Sequence, residues 1–285
     1  MCLIVWSMTE TTEPTSVDTI VLIHGLWMTA RCWEHWVDRY TRRGYRVIAE
    51  SWPGMEGDVE ALRRDASAIE HLGITEIVDH YDGIIRELDT PPIIMGHSFG
   101  GAFTQLLLDR GLGAAGVAID SAAVKGILTL PLSTLRSAFP VLRSPANNHK
   151  AVALTPEEFH YAFANTLSAD DSRALYERYA VPGPGRVLFQ AALANFNPHA
   201  ATRVDFDNDE RPPLLLIAGG ADHVVPAAVD RETATRYAKS KAITDYKEFP
   251  GRSHFTIGQA GWEDVADYAL AWAVEHATVP VSSGV

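Results

Sequence analysis

The sequence has few of the residues that define several large classes of protein. Only two of its 285 residues are cysteines, Cys2 and Cys32, which excludes a disulfide framework and a cysteine-rich zinc site. Basic residues are outnumbered, 24 Lys and Arg against 36 Asp and Glu, and the formal net charge is −12. This balance argues against nucleic acid or an anionic membrane as a partner.

Targeting and metal-binding signals are equally scarce. The apolar opening at residues 1–6 is too short for a secretory signal and has no basic segment before it. No apolar run approaches the roughly 20 residues of a transmembrane helix. The histidines lack a metal-ligand pattern such as His-Glu-x-x-His, so we expect no metal site. We therefore expect a cytoplasmic protein with an N-terminal lead-in at residues 1–16, polar from residue 9 onward, in which Met8 is an alternative start to Met1.

Short apolar runs alternate with helical patterns along most of the chain. Such alternation predicts an α/β fold with a doubly wound, mostly parallel sheet and helices on both faces. The expected strands are residues 17–23, 45–50, 93–95, 115–119, 213–218 and 243–249, and the expected helices include 30–43, 56–71, 74–88 and 262–276. In such sheets the functional site lies beyond the carboxyl ends of the strands.

The alternation stops at residues 125–210, where helix-start signals dominate. Thr155-Pro156-Glu157-Glu158 combines an N-cap, a proline at the first helical position and a capping-box glutamate. We predict an α-helical cap between two parts of the core, residues 17–124 and 211–277, with a tail at 278–285. Aromatic residues are frequent in the predicted cap. We expect some of them to line an apolar pocket with Trp27, although packing the cap onto the core explains each equally well; the pocket candidates are Phe159, Phe163, Phe189 and Phe196.

The segment Gly96-His97-Ser98-Phe99-Gly100 follows an apolar run and precedes a helical pattern. A strand that reverses directly into a helix forces its tip residue into a sparsely allowed backbone conformation, at a cost of about 1–3 kcal/mol. Gly96 and Gly100 remove the Cβ atoms that would collide in such a turn. The Ser98 hydroxyl would then stand clear of the sheet, and the backbone N–H of Phe99 would be free to bind an oxyanion.

This motif is a nucleophile elbow and resembles the α/β-hydrolase family, whose triad follows the chain order serine, acid, histidine. Asp222, in Gly220-Ala221-Asp222-His223, and His254, in Gly251-Arg252-Ser253-His254, match the family's acid and histidine loops. Asp120 ends an earlier predicted strand and is a rival for the acid. The His24-Gly25 pair resembles the family's oxyanion loop, which implies that the backbone N–H groups of Leu26 and Phe99 form the oxyanion hole.

The resemblance implies a serine hydrolase that cleaves a small to medium apolar carboxylic ester or lactone through an acyl-enzyme, without a cofactor. Dehalogenases and epoxide hydrolases of this fold have aspartate where Ser98 stands, so they fit poorly. Cofactor-free haloperoxidases, in which peroxide intercepts the acyl-enzyme, remain an alternative, as do lyases and acyltransferases. A ligand receptor with little turnover is the alternative from another class. The expected partner is a small molecule, and the substrate and the oligomeric state stay open.

Overall fold

A computed structural model describes residues 17–278 of the chain. Its central sheet has six strands in the order β2-β1-β3-β4-β7-β8, and every neighbouring pair is parallel. The predicted doubly wound parallel sheet is therefore confirmed. The strands of the central sheet are β1 (Thr19–Ile23), β2 (Arg46–Ile48), β3 (Ile93–His97), β4 (Ala115–Ile119), β7 (Leu214–Gly219) and β8 (Thr244–Phe249).

The interior strands are apolar because both of their faces are covered. Every residue of β1, β3, β4 and β7 is buried, as is usual for a parallel sheet between helical layers. The outer strands β2 and β8 are partly exposed and carry more polar side chains. The helices outside the segment between β4 and β7 are α1 (Glu34–Thr41), α2 (Val59–Arg64), α3 (Ile74–Arg86), α4 (Phe99–Asp109), α9 (Ala227–Tyr237) and α10 (Trp262–His276).

The segment between β4 and β7 is mainly helical. It also contains a short antiparallel pair, β5 (Ala151–Val152) with β6 (Gly183–Pro184). Its helices are α5 (Leu132–Leu142), α6 (Pro156–Phe163), α7 (Ala169–Tyr179) and α8 (Gly185–Ala192). Thr155 and Glu158 form the capping box that starts α6. We call this segment, residues 125–210, the insertion.

Two expected helices are shorter or less regular than the sequence pattern suggests. The helix predicted at residues 56–71 is wrong: α2 ends at Arg64, and a 3₁₀ turn, Ser67–Ile69, follows. Asp65 causes the break, because its backbone is extended and its carboxylate accepts a hydrogen bond from the N–H of Ser67. The helix predicted at residues 30–43 starts as a 3₁₀ turn, Ala30–Trp33, before α1.

The described helices are also informative about membranes. None of the helices within residues 17–278 is both long enough and apolar enough to pass through a bilayer.

Candidate active site

Ser98 lies at the turn between β3 and α4 in a strained backbone conformation. Its φ of 57° and ψ of −119° are unusual for a residue with a side chain. A Cβ atom on Gly96 would lie 2.0 Å from the Gly100 carbonyl oxygen, and one on Gly100 would lie 2.1 Å from the Ile23 carbonyl oxygen. Both positions therefore require glycine, because the strand, the helix and β1 approach each other too closely for a side chain.

Three polar side chains meet at the carboxyl edge of the sheet. Nε2 of His254 lies 3.0 Å from the Ser98 hydroxyl oxygen, and Nδ1 of His254 lies 2.6 Å from Oδ2 of Asp222. All three side chains are almost fully buried. We assign the ring proton to Nδ1, since Asp222 accepts it, and this leaves Nε2 to accept the hydroxyl proton of Ser98. The sequence-predicted serine, acid and histidine are thus brought into one hydrogen-bonded chain.

The ionisation of this chain is governed by burial. Burial lowers the pKa of His254 and keeps its ring uncharged near neutral pH. Burial raises the pKa of Asp222, while hydrogen bonds from the N–H groups of Val225 and Val224 act in the opposite direction. The same backbone bonds fix the carboxylate so that Oδ2 faces His254.

The rival acid, Asp120, lies close by but has different partners. It is fully buried and has a positive φ of 46°, and its Oδ1 accepts a hydrogen bond from the N–H of Gly219. Burial, followed by the negative charge of Asp222, raises the pKa of Asp120 well above its ordinary value. Asp222, not Asp120, makes the hydrogen bond to His254.

The two expected oxyanion donors belong to backbone segments that adjoin Ser98. Phe99 is the first residue of α4, directly behind Ser98. A Cβ atom on Gly25 would lie 2.7 Å from Cβ of Ser98, so the backbone before Leu26 runs against the serine. Within residues 17–278, neither the N–H of Leu26 nor that of Phe99 donates a hydrogen bond. Two unpaired N–H groups at a nucleophile suit a developing negative charge.

Two neighbouring histidines hold the loops of the site in place. His24 accepts a hydrogen bond at Nε2 from the N–H of Trp52, and its Nδ1 bonds to the Gly25 carbonyl, which fixes the loop before Leu26. His97 donates from Nε2 to the His254 carbonyl at 2.7 Å. Burial lowers the pKa of both histidines, so they act as neutral structural supports.

The proposed pocket aromatics divide into two groups. Phe163 is buried at the site: its ring meets the His254 ring edge to face at 4.9 Å and the Trp27 ring at 6.1 Å. Phe159 stacks behind Phe163 at 4.9 Å, so it supports that ring.

The other two pocket candidates fit less well. Phe196 is not buried at the site, because 85% of its surface is exposed to solvent. Phe196 ends the 3₁₀ turn Ala194–Phe196 after α8, and that turn leaves the ring facing solvent. Phe189 is partly buried in α8 and packs against the apolar core, which does not place it at Ser98.

The insertion is hydrogen-bonded to three of the loops that carry the site. The N–H of Phe255 donates to the Phe163 carbonyl, and Nδ2 of Asn165 donates to the Ala221 carbonyl. The Trp27 carbonyl accepts a hydrogen bond from the N–H of Val181, and the Trp27 indole donates to the Val152 carbonyl at 3.0 Å. The insertion therefore fixes the acid, histidine and oxyanion loops at once.

The buried polar groups also include one possible set of metal ligands. Among the described residues, His97, Asp120 and His254 bring one ligand atom each within 4.8 Å of one another. Both ring nitrogens of His254 and Nε2 of His97 already make hydrogen bonds. A metal ion there would have to break the hydrogen-bonded chain to Ser98.

A comparison with family models identifies the chain. Residues 20–268 match the model of the "Alpha/beta hydrolase family". The chain belongs to this family. A non-heme haloperoxidase of Rhodococcus erythropolis is 26% identical to this α/β-hydrolase over 256 residues, covering 82% of this chain and 85% of the haloperoxidase.

Solved structures share the fold of this α/β-hydrolase at low sequence identity. A monoacylglycerol lipase of Paleococcus ferrophilus superposes with a TM-score of 0.62 at 20% identity, covering 92% of this chain and 96% of the lipase. A pyrethroid hydrolase of Sphingobium faniae also superposes with a TM-score of 0.62, at 18% identity, and the match covers 90% of this chain and 98% of the hydrolase. At these identities the likeness shows the fold alone.

One buried acid of this α/β-hydrolase was not expected from the sequence. Asp230 in α9 is fully buried, and burial raises its pKa well above the ordinary value, with the charges of Asp120 and Asp222 adding to the rise. The available signal was its spacing, since Val229, Thr233 and Tyr237 lie on the same face of α9 and are buried too.

Proposed function

We propose that this chain is a serine hydrolase that cleaves small to medium apolar carboxylic esters or lactones. The hydrogen-bonded chain from Ser98 through His254 to Asp222 supports the proposal most strongly. A serine hydroxyl is a weak nucleophile, and it becomes reactive when a base takes its proton and a third group orients the base. The buried aromatic ring of Phe163 beside His254 favours an apolar substrate.

The reaction follows from the positions of these groups. Ser98 Oγ attacks the ester carbonyl while His254 Nε2 takes the hydroxyl proton, and Asp222 stabilises the imidazolium that forms. The N–H groups of Leu26 and Phe99 bind the negative oxygen of the tetrahedral intermediate. His254 then protonates the leaving alcohol, which departs and leaves an acyl-enzyme. Finally, His254 activates water, which releases the acid and restores Ser98.

The proposal is tested by turnover on p-nitrophenyl esters of graded acyl length, together with lactones and amides. We expect multiple turnovers on short and medium esters and rapid labelling of Ser98 by a fluorophosphonate probe. Single turnover with tight binding would instead indicate a ligand receptor on this fold. Labelling of a serine other than Ser98 would contradict the proposed nucleophile.

A perhydrolase is the second candidate, and the haloperoxidase relative is the observation that favours it. In that reaction hydrogen peroxide replaces water, so the acyl-enzyme yields a peracid and free Ser98, and the peracid then oxidises a halide ion. Peroxide-dependent bromination in acetate, measured beside ester hydrolysis in the same preparation, compares the two activities. Bromination that exceeds hydrolysis at low acetate would favour the perhydrolase.

Exchanging the two candidate acids for asparagine separates their roles. We expect Asp222→Asn to lower kcat/KM for ester hydrolysis by roughly 10⁴-fold, because the amide favours the wrong tautomer of His254. Asp120→Asn puts a group of similar shape where the carboxyl makes no hydrogen bond to His254, and burial already disfavours the charged form by raising the pKa of Asp120, so we expect a change below about 10-fold. Steady-state kinetics of both variants on one ester provide the measurement. Equal losses would contradict Asp222 as the acid that orients His254.

The pH dependence of hydrolysis should reflect the burial of His254. The ring must be uncharged to take the proton of Ser98, and burial lowers its pKa from 6.5 to about 3. Because its pKa is lowered, His254 stays uncharged and able to accept a proton at lower pH. The value of kcat/KM should therefore stay level as the pH falls through 6.5 and should decline only at still lower pH. The pH profile of kcat/KM for an acid-stable ester measures this. An acid limb centred at or above pH 6.5 would contradict the expectation.

A further inference from the structure

Trp27 has a backbone conformation that a residue with a side chain seldom adopts. Within residues 17–278, the residues other than glycine with a positive φ are Trp27 at 66°, Ser98 at 57° and Asp120 at 46°. Ser98 is the proposed nucleophile, and Asp120 is the buried acid close to the triad. Such conformations persist only where surrounding contacts enforce them, and they concentrate at functional sites. Because Trp27 directly follows the expected oxyanion donor Leu26, the contacts that hold Trp27 bear on that donor.

The insertion supplies the partners that hold Trp27. The Trp27 carbonyl accepts a hydrogen bond from the N–H of Val181, and the indole N–H donates to the Val152 carbonyl at 3.0 Å. The indole ring meets the ring of Phe163 edge to face at 6.1 Å. All three of these partners lie within residues 125–210, and Trp27 is almost fully buried. The insertion therefore helps to keep Trp27 at its positive φ.

The short strands β5 and β6 are the part of the insertion that lies against the oxyanion loop. Val152 belongs to β5, and Gly183 belongs to β6. A Cβ atom on Gly183 would lie 2.8 Å from Cδ1 of Leu26 and 3.2 Å from Cδ1 of Trp27. An added side chain at this position would therefore have to push Leu26 aside.

The backbone around Leu26 is held from two directions. The Leu26 N–H and the Gly25 carbonyl belong to one planar peptide group. Nδ1 of His24 bonds to that carbonyl at 2.9 Å, which orients the peptide group from the core. On the other side of Leu26, the bonds of Trp27 tie the chain to the insertion. An oxyanion hole works because its donors already point to the place where negative charge develops, so both attachments matter.

We propose that Trp27 is a positioning residue, which uses its bonds to the insertion to align the Leu26 N–H with the oxyanion that forms at Ser98. The inference rests on the proposed hydrolase function and adds that the insertion takes part in stabilising the transition state. Loss of a whole oxyanion donor lowers turnover by about 10²–10³-fold. A donor that is present but misaligned should cost less, roughly 10- to 100-fold.

Trp27→Phe tests the proposal, because it keeps an aromatic ring and removes the indole N–H. We expect kcat for a p-nitrophenyl ester to fall roughly 10- to 100-fold, because the misaligned donor acts mainly in the transition state. The substrate carbonyl carries less negative charge than the oxyanion, so KM should stay within about 3-fold of wild type. Thermal melting verifies that the variant is folded.

A trifluoromethyl ketone measures the oxyanion hole directly. Ser98 Oγ adds to the ketone carbon, the carbonyl electron pair moves to its oxygen, and His254 takes the hydroxyl proton. The adduct carries the same oxyanion as the ester intermediate, so in Trp27→Phe the Ki of the ketone should rise by about the factor by which kcat/KM falls. The Ki of the corresponding trifluoromethyl alcohol, which forms no oxyanion, should not change.

A second variant and a matched control separate alignment from packing. Gly183→Ala pushes on Leu26 from the insertion and leaves Trp27 unaltered, so kcat and the affinity for the ketone should fall together. Trp272→Phe also removes a buried indole donor, which bonds to Oδ2 of Asp245 at 2.7 Å near the amino end of β8, at the sheet edge opposite the site. This control should lower the melting temperature without changing kcat or the ketone Ki.

A folded Trp27→Phe variant with the kcat and the ketone Ki of wild type would overturn the proposal. A loss of kcat without a matching loss of ketone affinity would also overturn it, because Trp27 would then serve only to pack the insertion. If Trp27→Phe does not fold, Gly183→Ala decides by the same measurements. Wild-type protein without ester turnover contradicts the proposed function itself, whereas wild-type turnover that Trp27→Phe leaves unchanged contradicts only the role of Trp27.

Discussion

Ser98→Ala is expected to lower kcat for ester hydrolysis by roughly 10⁴- to 10⁶-fold. The substitution removes the atom that forms the acyl-enzyme, and His254 Nε2 loses the hydroxyl from which it takes a proton. The N–H groups of Leu26 and Phe99 would still bind a substrate carbonyl, so KM should change far less than kcat. Burst and steady-state kinetics on one p-nitrophenyl ester separate these two effects.

Ser121 offers a matched control for this loss. It is also a buried serine at the carboxyl edge of the sheet, but its hydroxyl bonds to Gln105 and to the Ala122 carbonyl. Ser121→Ala should keep fluorophosphonate labelling and turn over esters within about 10-fold of wild type. Ester cleavage by Ser98→Ala at the wild-type rate would exclude the proposed nucleophile.

Gly100→Ala is expected to prevent folding or to lower the free energy of unfolding by more than about 4 kcal/mol. The added Cβ would lie 2.1 Å from the Ile23 carbonyl oxygen and 2.8 Å from the His24 carbonyl oxygen. Both are backbone atoms of a buried strand and its loop, so neither can move without shifting β1. Soluble yield and chemical denaturation of the purified variant measure the loss.

Gly83→Ala makes the same chemical change where there is room for it. Gly83 lies exposed in α3, and an added Cβ would meet no atom within 4 Å. Alanine favours a helix over glycine, so we expect stabilisation by about 0.5–1 kcal/mol. If both alanine variants were equally stable, the close approach of β1 and the Ser98 turn would be contradicted.

The sheet and its order of strands and helices were predictable because their signals are local. A parallel strand buried on both faces is a short run of apolar residues, and β3 and β7 are such runs. The glycines around Ser98 are a local signal too, since only a turn of that tightness requires both. Because the site lies beyond the carboxyl ends of the strands, knowing the strands placed Ser98, Asp222 and His254 at one edge.

The insertion was less predictable because its arrangement depends on contacts between distant residues. Periodicity alone could not tell that Phe163 meets His254 while Phe196 faces solvent, since both are aromatic residues in helical patterns. The break at Asp65 arises from one side chain bonding its own backbone, which a helical pattern does not reveal.

The two hydrogen bonds of Trp27 have a consequence for engineering the molecule. They join Trp27, the residue after Leu26, to Val152 and Val181 in the insertion. The same two hydrogen bonds therefore hold the expected oxyanion donor and the insertion in position. A foreign insertion grafted onto this core could lack partners for the indole and the backbone carbonyl of Trp27. Such a chimera would therefore have a changed kcat as well as a changed substrate preference. Transplanting residues 26–27 together with the insertion should keep the two properties separable.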